Sequence, residues 1–240
     1  MMGSRSRAIG SALGLWVITA SRVLADGIVI DKVYHPYVDA QEKELEYRLL
    51  VQDTQPGRRE LSQLHQFSLG TSIGQQFFTE LYVIGSKNRH GTFETEAMEA
   101  ELKWQLTEQG EYGIDWGLLF EYEHELRQSG HEVAVGLLAE KELGQWSAAA
   151  NFMLVNEWGS QVRNEVETRL GVNLRYRYSE LFEPGIELYA GQGARGIGPV
   201  LQGTVRTGTR KSLHWEFGGI VGIGKQSPDM SWRMLFEYEF

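Results

Sequence analysis

The chain of 240 residues contains no cysteine, which excludes disulfide staples and thiolate metal sites. Long apolar runs are missing too. The one extended apolar stretch, residues 8–20, is about 13 residues long, short of the roughly 18 that mark a membrane-spanning helix. Basic residues are in deficit: 23 lysines and arginines face 32 acids, for a formal net charge of −9. That balance excludes nucleic acid as a partner, because phosphate binding needs a basic surface.

Residues 1–25 read as a secretory signal. Arg5 and Arg7 give a positive start, residues 8–20 form the apolar stretch, and Val23, Leu24 and Ala25 offer a small-residue cleavage site before Asp26. A retained membrane helix is the alternative, and the stretch is too short for it. Cleavage would remove three arginines and no acid, leaving about 215 residues with a net charge of about −12. That length suits one large β domain or two small ones. The mean hydropathy of −0.33 looks soluble. A transmembrane barrel hides its apolar residues in such an average, because it needs them only at every second position.

Alternation of period two recurs from residue 42 to the end. It predicts twelve strands, at 42–53, 62–73, 75–86, 97–107, 112–125, 131–143, 146–158, 165–178, 184–192, 198–208, 212–224 and 231–240. Most are long enough to cross a bilayer at a tilt, for which about 9–11 residues suffice. In the eighth, Val166, Thr168, Leu170, Val172, Leu174, Tyr176 and Tyr178 share one face, and Glu165, Glu167, Arg169, Asn173, Arg175 and Arg177 share the other. Turning that second face to lipid would expose three arginines at roughly 2–4 kcal/mol each near the midplane. The sum rivals the stability of a whole domain, so the charged face is expected to point inward. One break occurs: Glu94 and Glu96 are out of parity with Glu99 and Glu101. A bulge near Ala97 or a loop over 93–97 would explain it, and the loop is the preferred reading.

Six tryptophans fall on the lipid-facing parity. Trp104, Trp116, Trp146 and Trp215 lie toward one end of their strands and Trp158 and Trp232 toward the other, as expected of two interfacial belts. The chain ends in SWRMLFEYEF, with Phe236, Tyr238 and Phe240 at alternate positions. This ending resembles the C-terminal signature of bacterial outer-membrane β-barrel proteins. The resemblance implies a Gram-negative outer-membrane location, outer-membrane lipid around the wall, and a last strand read by the barrel-assembly machinery. It carries no functional residues over, since the signature covers only the final ten residues and no subfamily is identified.

The expected fold is therefore all-β: an antiparallel transmembrane barrel of about twelve strands over residues 42–240, with both termini periplasmic. Residues 26–41 form a periplasmic N-terminal segment. It carries Tyr34, His35, Pro36 and Tyr37, too many aromatics for a loose tail, and it either folds against the periplasmic mouth or tucks into it. The outer connections, expected near 54–61, 87–96, 126–130, 159–164, 193–197 and 225–230, are polar and short.

The inward face carries the chemistry. Expected lining residues are Glu99, Glu101, Asp115, Glu121, Glu123, Glu140, Glu165, Glu167, Arg169, Arg175, Arg177, Arg233 and Glu237, with Arg48, Lys103 and Arg206 as further inward bases. Acids outnumber bases, which points to a porin-like channel for cationic or small polar solutes. A salt-bridged, non-conducting barrel that anchors an assembly is the alternative. An outer-leaflet lipid enzyme is a weaker third, since His65 and His124 have no serine at a persuasive spacing. No catalytic residue and no cofactor is expected. His90, His131 and His214 lack ligand spacing, so no structural metal is expected either, although a loosely held cation on the acids stays open. GQGARGIG at 191–198 lacks the lysine and helix of a phosphate loop and reads as a hairpin.

Overall fold

A strand with one oily and one charged face must bury its backbone polar groups and hide its charges at once. Closing the sheet on itself does both, because every N–H and C=O then finds a neighbouring strand. In the computed structural model, which describes residues 30–55, 58–87, 91–127, 129–160, 164–192 and 194–240, this closure is complete. The strands are β1 (Lys43–Gln55), β2 (Arg58–Ile73), β3 (Phe77–Lys87), β4 (Phe93–Gln105), β5 (Asp115–Glu125), β6 (Gly130–Leu143), β7 (Trp146–Gly159), β8 (Glu165–Tyr176), β9 (Glu183–Gly191), β10 (Arg195–Gly208), β11 (Lys211–Gly222) and β12 (Met230–Glu239). Each pairs antiparallel with its sequence neighbours, and β12 closes onto β1. The seam runs in register from Glu44 opposite Glu239 to Gln52 opposite Ser231. Phe240 extends it, donating its N–H to the Lys43 carbonyl at 2.8 Å. Among the described residues no helix is long and apolar enough to cross a membrane.

Parity sorts the side chains. In β6, Val133, Val135 and Leu137 are 37–41 % exposed on the outer wall, while Ala134, Leu138 and Glu140 are buried inside. In β8, Val166 and Leu174 face out and Glu167 and Asn173 face in. Rings gather on the outer surface near both rims. Phe77 stacks on Trp104, and Trp146 packs on Tyr176, at the entry end, where the chain enters and leaves the wall. At the far end His131 stacks between His124 and Trp158, and Phe217 stacks on Trp232. Trp116 is half-buried at the start of β5, and Trp215 is half-buried at the fifth position of β11, opposite Phe236. Phe236 and Phe240 are exposed on the outer wall, and the Phe240 ring lies 5.9 Å from that of Tyr238.

Two local expectations are corrected. Residues 93–97 are strand, not loop: β4 begins at Phe93, and its register with β3 jumps from Ile84–Ala97 to Gly85–Thr95. Glu96 is the extra residue of a bulge. The bulge resets parity, so Glu94 shares the inner side with Glu99 and Glu101 despite an odd separation. The hairpin expected to loop over 54–61 is also mostly strand, since β1 runs to Gln55 and β2 starts at Arg58.

Residues 30–38 join no strand. They thread the lumen from the entry end, where Ser72 Oγ donates to the Asp39 carbonyl at 2.5 Å. Ile30, at the other extremity, is 1 % exposed among Leu50, Ala149, Tyr189 and Ile220. Glycine makes room for them: a Cβ on Gly117 would sit 3.0 Å from Pro36, and one on Gly171 would sit 3.3 Å from Val33.

A lipid-facing outer wall predicts that Leu137→Arg costs about 2–4 kcal/mol when unfolding is followed by denaturant titration in lipid vesicles. A water-facing wall would tolerate the same change within about 0.5 kcal/mol, and that smaller value would overturn the assignment of faces.

Candidate functional site: the lumen and the segment inside it

A chain segment entering a charged tube must satisfy its own backbone without a sheet partner. Tyr34 does so through one side chain: its N–H donates to Asn151 Oδ1 at 2.6 Å, and its carbonyl accepts from Asn151 Nδ2 at 2.9 Å. Val38 N–H donates to Gln105 Oε1 at 2.7 Å. The Asp31 carbonyl accepts from the Tyr189 hydroxyl at 2.5 Å and from the Arg233 guanidinium.

The segment's side chains then reach the wall acids. Tyr34 donates its hydroxyl to Glu101 at 2.6 Å, and Tyr37 donates to Asp115 at 2.8 Å. His35 Nδ1 lies 2.6 Å from Glu140. Lys32 Nζ sits 2.7 Å from Glu46, 3.7 Å from Glu80 and 3.0 Å from the Tyr82 hydroxyl. Burial works to strip the Lys32 proton, but the carboxylates of Glu46 and Glu80 outweigh it and hold its pKa well above the ordinary lysine value. Asp31 shows the converse: burial pushes its pKa up, and the paired Arg48 guanidinium brings it below the usual carboxylate value.

The wall carries its own ion pairs. Arg233, 1 % exposed, donates to Glu187 at 2.8 Å, to Glu216 at 2.7 Å and to the Tyr189 hydroxyl at 2.5 Å. Arg169 grips Glu132 with both terminal nitrogens, at 3.1 and 2.9 Å. Arg175 lies 3.3 Å from Glu140 and 3.4 Å from Glu183. Arg177 pairs with Glu142 at 2.6 Å nearer the entry rim. Arg206 departs from the inward expectation. Its side chain is 78 % exposed at that rim, paired with Glu180, although its backbone keeps register opposite Ser212.

Register brings inward acids, expected and unexpected, into rows. Glu80, Glu101 and Glu121 stand directly opposite one another across β3, β4 and β5. Glu99, Glu123, Glu132, Glu157 and Glu165 do the same across β4 to β8. Like charges so placed repel. Glu167 and Asp115 are buried on the same inner face. At the seam, carboxylate oxygens of Glu44, Glu46 and Glu237 lie within 4.8 Å of one another, as do those of Glu42, Glu237 and Glu239. The segment divides the remaining space. A cavity of about 310 Å³ opens on the entry side, against Lys32, Glu44, Glu80, Glu101, Lys103 and Glu237 among others. One of about 50 Å³ lies beyond it, against Asp31, Glu121 and Arg169.

Sequence reasoning missed Lys32, Tyr82, Asn151 and Tyr189 as parts of this site. The density of aromatics at 34–37 was its one available signal. His65 and His124 lie on the outer wall, where His65 Nδ1 is 2.9 Å from the Tyr47 hydroxyl. His90 lies outside the described residues.

No protein-family profile and no curated protein sequence matches the chain. Solved structures do match, by fold. A porin named KdgM, in complex with disordered oligogalacturonate, superposes with a TM-score of 0.57 at 13 % identity, over 82 % of this chain and 99 % of that one. An outer-membrane channel of Pseudomonas putida F1 gives 0.60 at 12 %, over 88 % and 98 %. The β domain of the Bordetella autotransporter BrkA gives 0.50 at 14 %, over 84 % and 99 %. At these identities the likeness establishes a shared architecture, the closed antiparallel barrel of outer-membrane proteins.

Removing Arg233 would leave Glu187 and Glu216 buried without their shared cation. Arg233→Met is therefore expected to cost about 3–5 kcal/mol, read as a lowered midpoint in thermal unfolding followed by mobility on unheated gels. A midpoint equal to wild type would show that this network contributes nothing to the fold.

Proposed function

We propose that the chain is a porin-like channel of a Gram-negative outer membrane, exported by its signal and set with both termini in the periplasm. Its acid-rich lumen favours cations and small polar solutes, and its N-terminal segment occupies the path at rest. The observation that carries this reading is the nature of the obstruction. Beside the wall's own buried cluster of Leu119, Leu138, Met153 and Val155, the tube is filled by a separate length of chain held largely by side-chain hydrogen bonds, and the wall behind it is lined with rows of glutamates. Such rows lower the potential for cations and raise it for anions. The oligogalacturonate named with the KdgM porin is a polyanion, so a lumen of this charge would suit a different solute from a wall of the same architecture. No enzyme is proposed. The outward histidines sit among aromatic rings, and the inward carboxylates recur all round the tube instead of converging with a nucleophile.

Charge reversal at Lys32 tests the channel. Placing a carboxylate beside Glu46 and Glu80 should expel the segment, so Lys32→Glu in the full mature chain is expected to raise single-channel conductance several-fold in planar bilayers. The current should be cation-selective. Adding Glu121→Gln and Glu123→Gln should move the reversal potential toward zero. A second reading, the non-conducting anchoring barrel, is favoured by the same occupied lumen. It is the outcome if Lys32→Glu inserts and folds yet passes no current.

A further inference from the structure

Lys32 is held like a ligand. Its ammonium is met by two carboxylates and a phenol, and it also lies 4.7 Å from the centre of the Tyr34 ring and 5.7 Å from that of Tyr82. Carboxylates combined with aromatic faces are how proteins bind organic ammonium groups. A hard divalent ion would want six or more oxygens instead. The wall half of this cage does not depend on Lys32. Arg48 braces Glu46 through Nε at 3.0 Å and a terminal nitrogen at 2.8 Å. Ser68 donates to Glu80 at 2.5 Å. Glu46, Glu80 and Tyr82 stand on β1 and β3, and with Lys32 in place each is buried to 3 % exposure or less.

The cage opens to the lumen at Glu80, with Glu46 and Tyr82 set back from the cavity. The 310 Å³ cavity on the entry side touches Lys32, Tyr34 and Glu80 directly. Of the acids that line it, Glu44, Glu101 and Glu237 form no ion pair among the described residues, so the approach offers carboxyl groups that no wall cation occupies. A solute that brings a primary amine would be drawn along that approach to a site already shaped for it.

We propose that Glu46, Glu80 and Tyr82 form a binding site for primary ammonium cations, which Lys32 fills as a tethered ligand and for which small primary amines compete. The proposal rests on the reading of the lumen as a solute path and names the solute class: amines of a few carbons carrying an N–H₃⁺ group. Displacing Lys32 loosens the segment at the point where it meets β1 and β3, which couples recognition of the solute to clearance of the path. The tether sets the scale. A ligand on a short flexible chain competes at an effective concentration in the millimolar range, so free amine must reach similar levels to displace it. Removing the lysine head should unmask the site.

The test uses the full mature chain in detergent, with n-propylammonium as the probe. By titration calorimetry, Lys32→Ala is expected to bind the probe saturably and at least ten-fold more tightly than wild type. Glu46→Gln on that background should abolish the gain, and tetramethylammonium or sodium at equal ionic strength should not compete. On wild type, hydrogen exchange read by mass spectrometry covers the case in which Lys32→Ala does not fold. Propylammonium, but not tetramethylammonium, should speed exchange of amides in residues 30–38 at least three-fold. Equal binding by both chains, competition by sodium or tetramethylammonium to the same degree, or unchanged exchange would overturn the proposal and leave only counterion screening by the acids. Neither assay reads current, so a barrel that conducts nothing would leave the ammonium site standing. An open cation path without amine-specific binding would overturn the site alone.

Discussion

A carboxylate in this wall can face hydrocarbon or face the lumen, and the first choice costs several kilocalories per mole. Every strand obeys that constraint, and the lumen inherits the consequence: glutamates stacked opposite glutamates, from Glu80 to Glu121 and from Glu99 to Glu165. The interior must then supply positive charge and hydrogen-bond donors, since buried charges left alone are untenable. Arginines at 169, 175, 177 and 233 supply part. The N-terminal segment supplies more. Lys32, His35 and the hydroxyls of Tyr34 and Tyr37 reach the wall acids Glu46, Glu140, Glu101 and Asp115.

The wall was largely legible from the chain alone, because period-two alternation is a local signal and parity follows from it. The twelve strands and the inward placement of Glu101, Asp115, Glu140 and Arg233 all come from reading every second residue. Two features break that rule and were hidden by it. The bulge at Glu96 inserts one residue, which alternation can register only as an interruption. The threading of residues 30–38 depends on contacts such as Tyr34 with Asn151, 117 positions apart, for which no local pattern exists. The rows of opposed glutamates were invisible for a related reason: parity says which face a residue takes, but only register says which neighbour it meets.

The matched barrels share the architecture at 12–14 % identity. That combination is what the constraint predicts. The outer wall asks only for apolar residues at alternate sites, and the backbone ladder asks for no particular side chain. Neither demand preserves sequence. The inner face is free to diverge in charge while the tube stays the same, so architecture is silent about the solute and only the lumen residues bear on it.

Within this lumen the charge is lopsided. From β6 to β11 six acids have wall arginines: Glu132 has Arg169, Glu140 and Glu183 share Arg175, Glu142 has Arg177, and Glu187 and Glu216 share Arg233. On β3, β4 and β5 the inner acids Glu80, Glu101 and Asp115 have the segment instead. Lys103, the inward base of that sector, lies 5.2 Å from the Phe78 ring and forms no ion pair among the described residues. The arginine-braced acids hold their partners within the wall, whereas Glu80, Glu101 and Asp115 take theirs together from one segment. The carboxyl groups without a wall cation therefore gather along β3 to β5 and at the seam, where Glu44 and Glu237 stand. Lys32, Tyr34 and Tyr37 occupy three of them, Glu80, Glu101 and Asp115.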